Sequence, residues 1–347
     1  MAAVERDKHK VEALKAAVLA IEKNYGKGAI TTLGAHGTMD VPCIPTGIPS
    51  LDAAMGGRGV PRGRVAEFWG NEACGKTTLC LQIIANAQRS GGSAAFIDAE
   101  HALDPTYVKA LGVDLDSLLI SQPDYGEQAL EIADQLSRSG AVDIIVIDSV
   151  AALVPKAELE GDMGDAVMGG QARMMAQALR KLTATLGRTQ TTIIFTNQTR
   201  EKIGVMFGNP ETTPGGRALK FFASMRVNLK FIGAIKDGDQ RIGGRVKIDV
   251  VKNKIAPPYG HTEVDLLAGT GFSRDADLVD EGVLRGVLTK QGAWISFQGT
   301  KLGNGRDMAK AFLKENQDVA AAIEAELRKT AAAKAAGGTG AATAPAA

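Results

Sequence analysis

The stretch Gly70-Asn71-Glu72-Ala73-Cys74-Gly75-Lys76-Thr77-Thr78 sets the tightest limit on what this chain can fold into. It fits the spacing G-x-x-x-x-G-K-[ST], in which each fixed position has a physical reason. Gly70 and Gly75 let the backbone turn and approach an anion with no Cβ in the way. The successive N–H groups of such a loop point at a β-phosphate, backed by the positive end of the helix that follows. Lys76 adds a mobile cation for the β- and γ-oxygens, and the Thr77 hydroxyl can hold Mg²⁺. The motif has weight only between a strand and a helix. Arg64 to Trp69 reads as that strand and Thr78 to Ala87 as that helix, so a true nucleotide site is predicted over a decorative glycine-rich turn.

Beyond this unit, short apolar runs at Ser93–Ile97, Leu118–Ser121, Val142–Ile147 and Thr191–Thr196 alternate with helical patterns, notably Glu127–Ser137 and Gln171–Leu186. Continuous apolar strands between helices imply a mostly parallel sheet covered on both faces. After Phe222 the helices stop, and Ser224–Ile235, Gly244–Val251 and Thr262–Leu267 suit an antiparallel extension of the same sheet. Four regions follow. Residues 1–37 form an arm, with an amphipathic helix from Asp7 to Tyr25 ended by Gly26 and an extended segment from Lys27 to Leu33. The arm has little core of its own and must lie on the parent domain or on a neighbouring subunit. Residues 38–272 form the core, and 273–329 a small α/β unit with a hairpin region at Val287–Leu302 anchored by Trp294 and Phe297. The tail, 330–347, is Ala, Gly and Thr with too few large apolar groups to pack, so disorder is expected there.

Ligand groups in such sheets emerge at the carboxyl ends of parallel strands. Asp148, ending an apolar run, is the candidate to orient a Mg²⁺ water shell beside Thr77; its alternative is a helix cap. Glu100 lies just past another strand end and is preferred over Asp98 as the group that aligns or deprotonates a water. Asn197 and Gln198 end a third strand, where an amide can bond a γ-phosphate and release it after hydrolysis. Thr199 to Pro214 shows no helix or strand pattern and mixes Arg200 and Lys202 with Ile203, Val205, Met206 and Phe207. Cations beside apolar wedges suggest nucleic-acid backbone contact with base-step insertion; a packed hydrophobic tip is the alternative. Arg173 and Arg180 lie two turns apart on one helix, a pattern that by itself fits a solvated face. The formal net charge of +1 excludes a nucleic-acid reading based on overall charge, so any such contact must be local. Three cysteines without a C-x-x-C and four scattered histidines give neither a disulfide framework nor metal-ligand spacing. No signal peptide or long apolar span is present, so a cytoplasmic protein without membrane attachment is expected.

The segments Asp98–Asp104, Val146–Leu153, Lys202–Thr212 and Val250–Lys254 together resemble the RecA family, the bacterial homologous-recombination ATPases, from about Asp7 to Arg328. The third segment is far more specific than any phosphate loop. The resemblance implies a DNA-dependent ATPase that forms a helical polymer of itself on single-stranded DNA, with ATP and Mg²⁺ held between adjacent protomers. It implies pairing with double-stranded DNA, strand exchange, and stimulated self-cleavage of a LexA-type repressor. By that similarity Glu100 activates water and Gln198 couples the γ-phosphate to the DNA loop. Asp104 and Tyr107 flank the adenine, and Lys252 and Lys254 reach the neighbour's phosphates. Met168, Arg173 and Arg180 join a first DNA loop. Arg200 through Arg217, with Gly215 and Gly216, cover the second. The arm packs on the neighbour, and the small domain helps capture duplex DNA.

The chain departs from the family's usual pattern at Asn71, Ala73 and Cys74, at Ala268 near the expected base, and in a tail without an acidic run. Cys74 is expected to present a thiol beside the phosphates, open to alkylation and protected by nucleotide. A ring-shaped helicase on the same core is the rival enzyme, and closed rings under the microscope would favour it. An ATP-gated scaffold for repressor cleavage is the rival of another class. Charge reversal at Arg200 and Lys202 is expected to weaken DNA binding over a salt series with little change in nucleotide affinity.

Overall fold

A computed structural model describes residues 2–27, 29–30, 41–162, 169–201 and 211–337, with side chains given over 8–27, 29–30, 41–162, 169–200 and 211–330. Two compact units result, Met1–Val41 and Pro42–Ala347. In the first, helix α1 spans Ala2–Tyr25 and ends at Gly26, whose N–H reaches Glu22 O and whose φ of 95° suits only glycine. Most of the extended segment expected after it lies outside the described residues.

The second unit starts with a two-residue ladder, Cys43–Ile44 against Val60–Pro61, around the short helix α2 (Pro49–Ala54), and then alternates as its apolar runs predict. Strand β1 (Val65–Gly70) leads through the phosphate loop into α3 (Lys76–Arg89), and β2 (Ala94–Asp98) into α4 (Pro105–Ala110). Then come β3 (Leu118–Ser121), α5 (Gly126–Ser139), β4 (Ile144–Asp148), α6 (Gly170–Thr189) and β5 (Thr192–Gln198). A five-residue helix α7 (Ala218–Phe222) precedes β6 (Met225–Asp237), β7 (Gln240–Asn253), β8 (His261–Leu267) and β9 (Gly271–Phe272). All nine strands form one sheet, in the order β9-β8-β7-β6-β1-β5-β4-β2-β3. The six strands from β6 to β3 pair in parallel; β6 to β9 pair antiparallel. Strand β6 is thus the hinge of the topology, parallel to β1 on one side and antiparallel to β7 on the other.

Alternate residues of the central strands feed two cores. Phe68, Phe96, Val146 and Val227 pack with Leu79, Ile83 and Ile84 of α3 on one face. Ile97, Ile145, Ile147 and Phe195 pack with Ala129 and Ala133 of α5 and Leu179 and Leu182 of α6 on the other. Each of the larger side chains among them contributes about 1.5–3 kcal/mol. With both faces covered, the strands need no polar alternation, which is why they read as unbroken apolar runs.

The small domain comprises α8 (Arg274–Leu284), a three-stranded sheet β10 (Thr289–Gln291), β11 (Trp294–Phe297) and β12 (Thr300–Asn304), then α9 (Arg306–Glu315) and α10 (Gln317–Gly337). Phe297 is a core anchor as expected, but Trp294 is not. It is 42 % exposed, with the Lys301 ammonium 4.9 Å from its ring centroid. The last helix continues through Thr330 to Gly337, where disorder was expected. The segment Ala331-Ala332-Ala333-Lys334-Ala335-Ala336 explains it, because alanine has the highest helix propensity. Residues 338–347 lie outside the described set.

Two contacts seat this domain on the core. Arg245 and Arg306 share Asp265 and Asp280, at 2.7–3.2 Å. Asp277, 3 % exposed, accepts from Ser50 N at 2.8 Å and from the Ser50 hydroxyl. Burial pushes its carboxyl up from 3.8 to about 7. The folded chain therefore holds a proton between about pH 4 and pH 7 that the unfolded chain has released, and stability falls as pH rises through that window. Asp277→Asn removes this slope, which is at most ~1.4 kcal/mol per pH unit. Thermal melts at about pH 5 and pH 8 should show the variant gaining on the parent at the higher pH.

Candidate nucleotide site and its link to the DNA loops

The phosphate loop leaves β1 at Gly70 and enters α3 at Lys76. Ala73 (φ 55°) and Gly75 (φ 88°) are left-handed, which bends the backbone into an anion nest. No side chain caps α3, so its first N–H groups remain for a ligand. Both glycines are required by space as well. A Cβ on Gly70 would lie 2.1 Å from Leu229 O, and one on Gly75 would lie 2.8 Å from Leu266 and 2.9 Å from Phe272. The antiparallel extension thus backs the loop. Lys76 Nζ is held by Gly70 O at 3.1 Å and Asn71 O at 2.7 Å, in the mouth of the nest.

The carboxyl ends of β1, β5, β4 and β2 bring the remaining candidates together in that order. Gly70 pairs directly with Gln198. Asp148 accepts from the Thr77 and Thr196 hydroxyls, both at 2.5 Å. Burial pushes its carboxyl up, opposed by those two hydroxyls and reinforced by the nearby Glu100. Thr77 and Asp148 are hard oxygen donors side by side, a set that fits Mg²⁺. Asp148 is therefore not a helix cap. Strand pairing sets Asp98 beside Asp148, and Glu100 follows beyond it, exposed, with Oε1 accepting from the buried Ser149 hydroxyl at 2.5 Å. Asp98, in contrast, is buried and occupied by Ala102 N, Leu103 N and Gln122 Nε2 at 3.1–3.3 Å. It is the staple of the turn, whereas Glu100 keeps Oε2 open to solvent.

Other candidates are placed as follows. Asp104 is exposed and caps α4 through Thr106 N at 2.8 Å, and Tyr107 Oη lies 2.9 Å from Thr78 Oγ1, tying α4 to α3. Thr78 is buried; Asn71, Glu72 and Ala73 are exposed. Lys252 Nζ donates to Lys220 O and Phe221 O at the end of α7, and burial, then Lys254 and Arg226, hold it below its ordinary value. Lys254 is exposed. Cys74 does not present the expected thiol. It is fully buried, beneath the loop rather than on it, and burial pushes its thiol up.

The two segments expected to contact DNA join at their roots. Arg173 and Arg180 are exposed on α6. Gln171, at the start of α6, donates to Val150 O and Leu153 O and accepts from Gly215 N at 3.1 Å, so one amide links both loop bases. Gly216 and Arg217 follow, exposed, before α7. The segment Thr199–Pro214 is not patternless, because Arg200–Glu201 pairs antiparallel with Glu211–Thr212. That ladder was too short to read from periodicity. Gln198, Thr199 and Arg200 line a cavity of about 310 Å³ with Gly70, Asn71 and Glu72, joining loop and nucleotide site. Met168, Lys202, Ile203, Met206 and Phe207 lie outside the described residues. Sequence reasoning missed Gln171, and also Glu67 and Arg226, paired at 2.5 Å; a charge inside an otherwise apolar strand was the signal for Glu67.

Two family models cover most of the chain: the RecA N-terminal domain matches residues 12–273, and the RecA C-terminal domain 276–332. The chain belongs to the RecA family. It is 56 % identical to Protein RecA of Clostridium acetobutylicum over 323 residues, 93 % of each chain. It is likewise 56 % identical to Protein RecA of Streptomyces avermitilis over 329 residues, 95 % of this chain and 86 % of that one. As a RecA-family protein it is a DNA-dependent ATPase of recombination and repair that binds nucleotide and DNA and assembles with itself. Among the described residues no helix is long and apolar enough to cross a membrane.

Burial of Cys74 makes a chemical prediction. Its alkylation in the native protein should lag that in the urea-unfolded chain by at least about tenfold, with or without nucleotide. Peptide mapping after timed labelling checks it.

Proposed function

We propose that this chain polymerises as a helical filament on single-stranded DNA in the cytoplasm, pairs it with homologous duplex and exchanges strands, using ATP and Mg²⁺. The filament also stimulates self-cleavage of a LexA-type repressor in the SOS response. The observation that carries the reading is the pairing of Gly70 with Gln198. It makes the residue at the root of the DNA loop a wall of the nucleotide site. ATP bound here would supply the transferable γ-phosphoryl group, and Mg²⁺ the charge shielding its oxygens. The nest N–H groups and Lys76 hold the phosphates, and Thr77 and Asp148 hold the metal, Asp148 through water. Ser149 fixes Glu100 by Oε1, leaving Oε2 to take a proton from the attacking water. Asp104 and Tyr107 flank the base. Lys252 and Lys254 of one protomer face the phosphates of the next and stabilise charge as it develops.

Gln198 bonds the γ-phosphate and sets the loop rooted at Arg200, so nucleotide state selects the DNA-holding state. The loop's Lys202, Ile203, Met206 and Phe207, with Gly215, Gly216 and Arg217, grip DNA beside Met168, Arg173 and Arg180. ATP turnover should rise when single-stranded DNA is added, and electron microscopy of the same sample should show helical filaments. Glu100→Gln should cut turnover about 10²–10⁴-fold while filaments and repressor cleavage persist. Equal turnover with and without DNA, and no polymer on the strand, would overturn the reading.

A further inference from the structure

One buried carboxylate behind the nucleotide edge has no part in the chemistry above. Glu67, on β1, has no exposed surface. A charge there costs several kcal/mol unless it is fully paired. Its Oε2 accepts from Arg226 Nε at 2.5 Å, and its Oε1 from Asn197 Nδ2 at 3.1 Å. Strand register places these side chains on one sheet face: Glu67 pairs with Arg226 of β6, and Trp69 with Asn197 of β5. The Arg226 guanidinium also lies over the Trp69 ring, 5.4 Å from its centroid.

Asn197 is the joint at one end. Fully buried, it donates from Nδ2 to Pro214 O at 3.2 Å and accepts at Oδ1 from Gln198 N at 3.0 Å. A single amide therefore grips both roots of the segment 199–214. At the other end, Arg226 pairs across the ladder with Lys252 and is one of the charges that act on it.

We propose that Glu67 is a positioning residue that couples the nucleotide edge to the DNA loop and to Lys252, with Asn197 and Arg226 as its two arms. This rests on the reading of Gln198 as the γ-phosphate sensor. Coupling needs a second arrangement and not mere adjacency. Arg226 has one within reach. Asn228, on the same face of β6, keeps Oδ1 buried with no hydrogen-bond partner among the described residues. It lines, with Arg226, Trp69 and Thr212, a cavity of about 480 Å³. A pull on Gln198 loads Asn197 through their shared hydrogen bond. Glu67 then follows Asn197, and Arg226 exchanges one acceptor for the other.

Two variants cut the link at different points. Glu67→Gln keeps shape and removes the charge; Asn197→Ala releases Gln198 and Pro214 without changing charge. Each is measured for affinity toward a fluorescent ADP analogue without DNA, and for the ratio of single-stranded DNA affinity with and without ATP. Nucleotide affinity should stay within about twofold of the parent, while the ratio falls at least about tenfold. The double variant should lose no more than either single one, because both cut the same link. A ratio within about twofold of the parent, or additive losses, overturns the proposal. If Glu67→Gln no longer binds nucleotide, the pair Glu67→Gln/Arg226→Gln, which strands no charge, is judged by the same ratio. Gln198→Ala separates the two readings. If it retains the parent's ratio, the sensor assignment itself fails. If it loses the ratio while Glu67→Gln keeps it, the sensor stands and the role of Glu67 falls.

Discussion

Parallel pairing of β1 with β5 puts Gly70 beside Gln198, and the rest of the structure follows from that contact. Side chains alternate along a strand, so slipping β5 by one residue would move Asn197 and Gln198 each to the other face of the sheet. Such a slip is opposed by Ile193 and Phe195, both fully buried against α5 and α6. A slip would drive them into the core on the α3 face, where misfitted packing costs about 1–3 kcal/mol. The hydrophobic core therefore does more than stabilise. It holds the amide of one strand within reach of the phosphate loop of another, at a precision that a surface loop could not provide.

Buried carboxylates are handled here in three different ways, and the differences separate structure from chemistry. Asp98 is satisfied by backbone and amide donors and only shapes a turn. Asp277 meets hydroxyl and backbone N–H at the foot of the small domain, and burial pushes its carboxyl up, so it holds a proton up to about pH 7. Asp148 is met by two hydroxyls, one of them Thr77 of the phosphate loop. Hydroxyl partners leave a carboxylate able to turn toward a cation, since they can rotate and then coordinate or bridge by water. The neighbouring Arg245–Asp265–Asp280–Arg306 cluster follows the opposite rule. Burial pushes Asp265 up, but the two guanidinium groups hold its carboxyl below the usual range. Asp265 therefore stays ionised where Asp277 holds its proton.

Much of this was legible in the sequence because the determinants are local. The phosphate loop, the apolar strands with a terminal Asp148 or Gln198, and the switch to helix-free strands after Phe222 all depend on neighbours in the chain. Cys74 was misread because a side chain's direction inside a loop is set by the φ of Ala73 and Gly75, which composition does not encode. Trp294 was misread because apolar character alone does not say which face of a three-stranded sheet is covered. Glu67, Asn197 and Arg226 span residues 67 to 226, and only the strand order makes them neighbours. Gln171 is similar: its three partners lie on two loops that a linear reading treats separately.

The same topology decides where flexibility can be placed. Strand β6 is bonded to β1 along Met225–Leu229 only, and its continuation to Asp237 pairs with β7 alone. Its inner half is fixed by the core through Val227 and Leu229, while its outer half carries Lys230, bonded to Glu211 at the base of the DNA loop. Arg226 sits at the inner end, before Val227, with its carboxylate partner Glu67 on β1. In the coupling proposed for Glu67, a shift at the loop base reaches the core through one charged residue rather than through repacking of apolar side chains. Close-packed interiors resist gradual deformation. An exchange of hydrogen-bond partners at their margin asks far less of them, and the margin is where the buried ion pair lies.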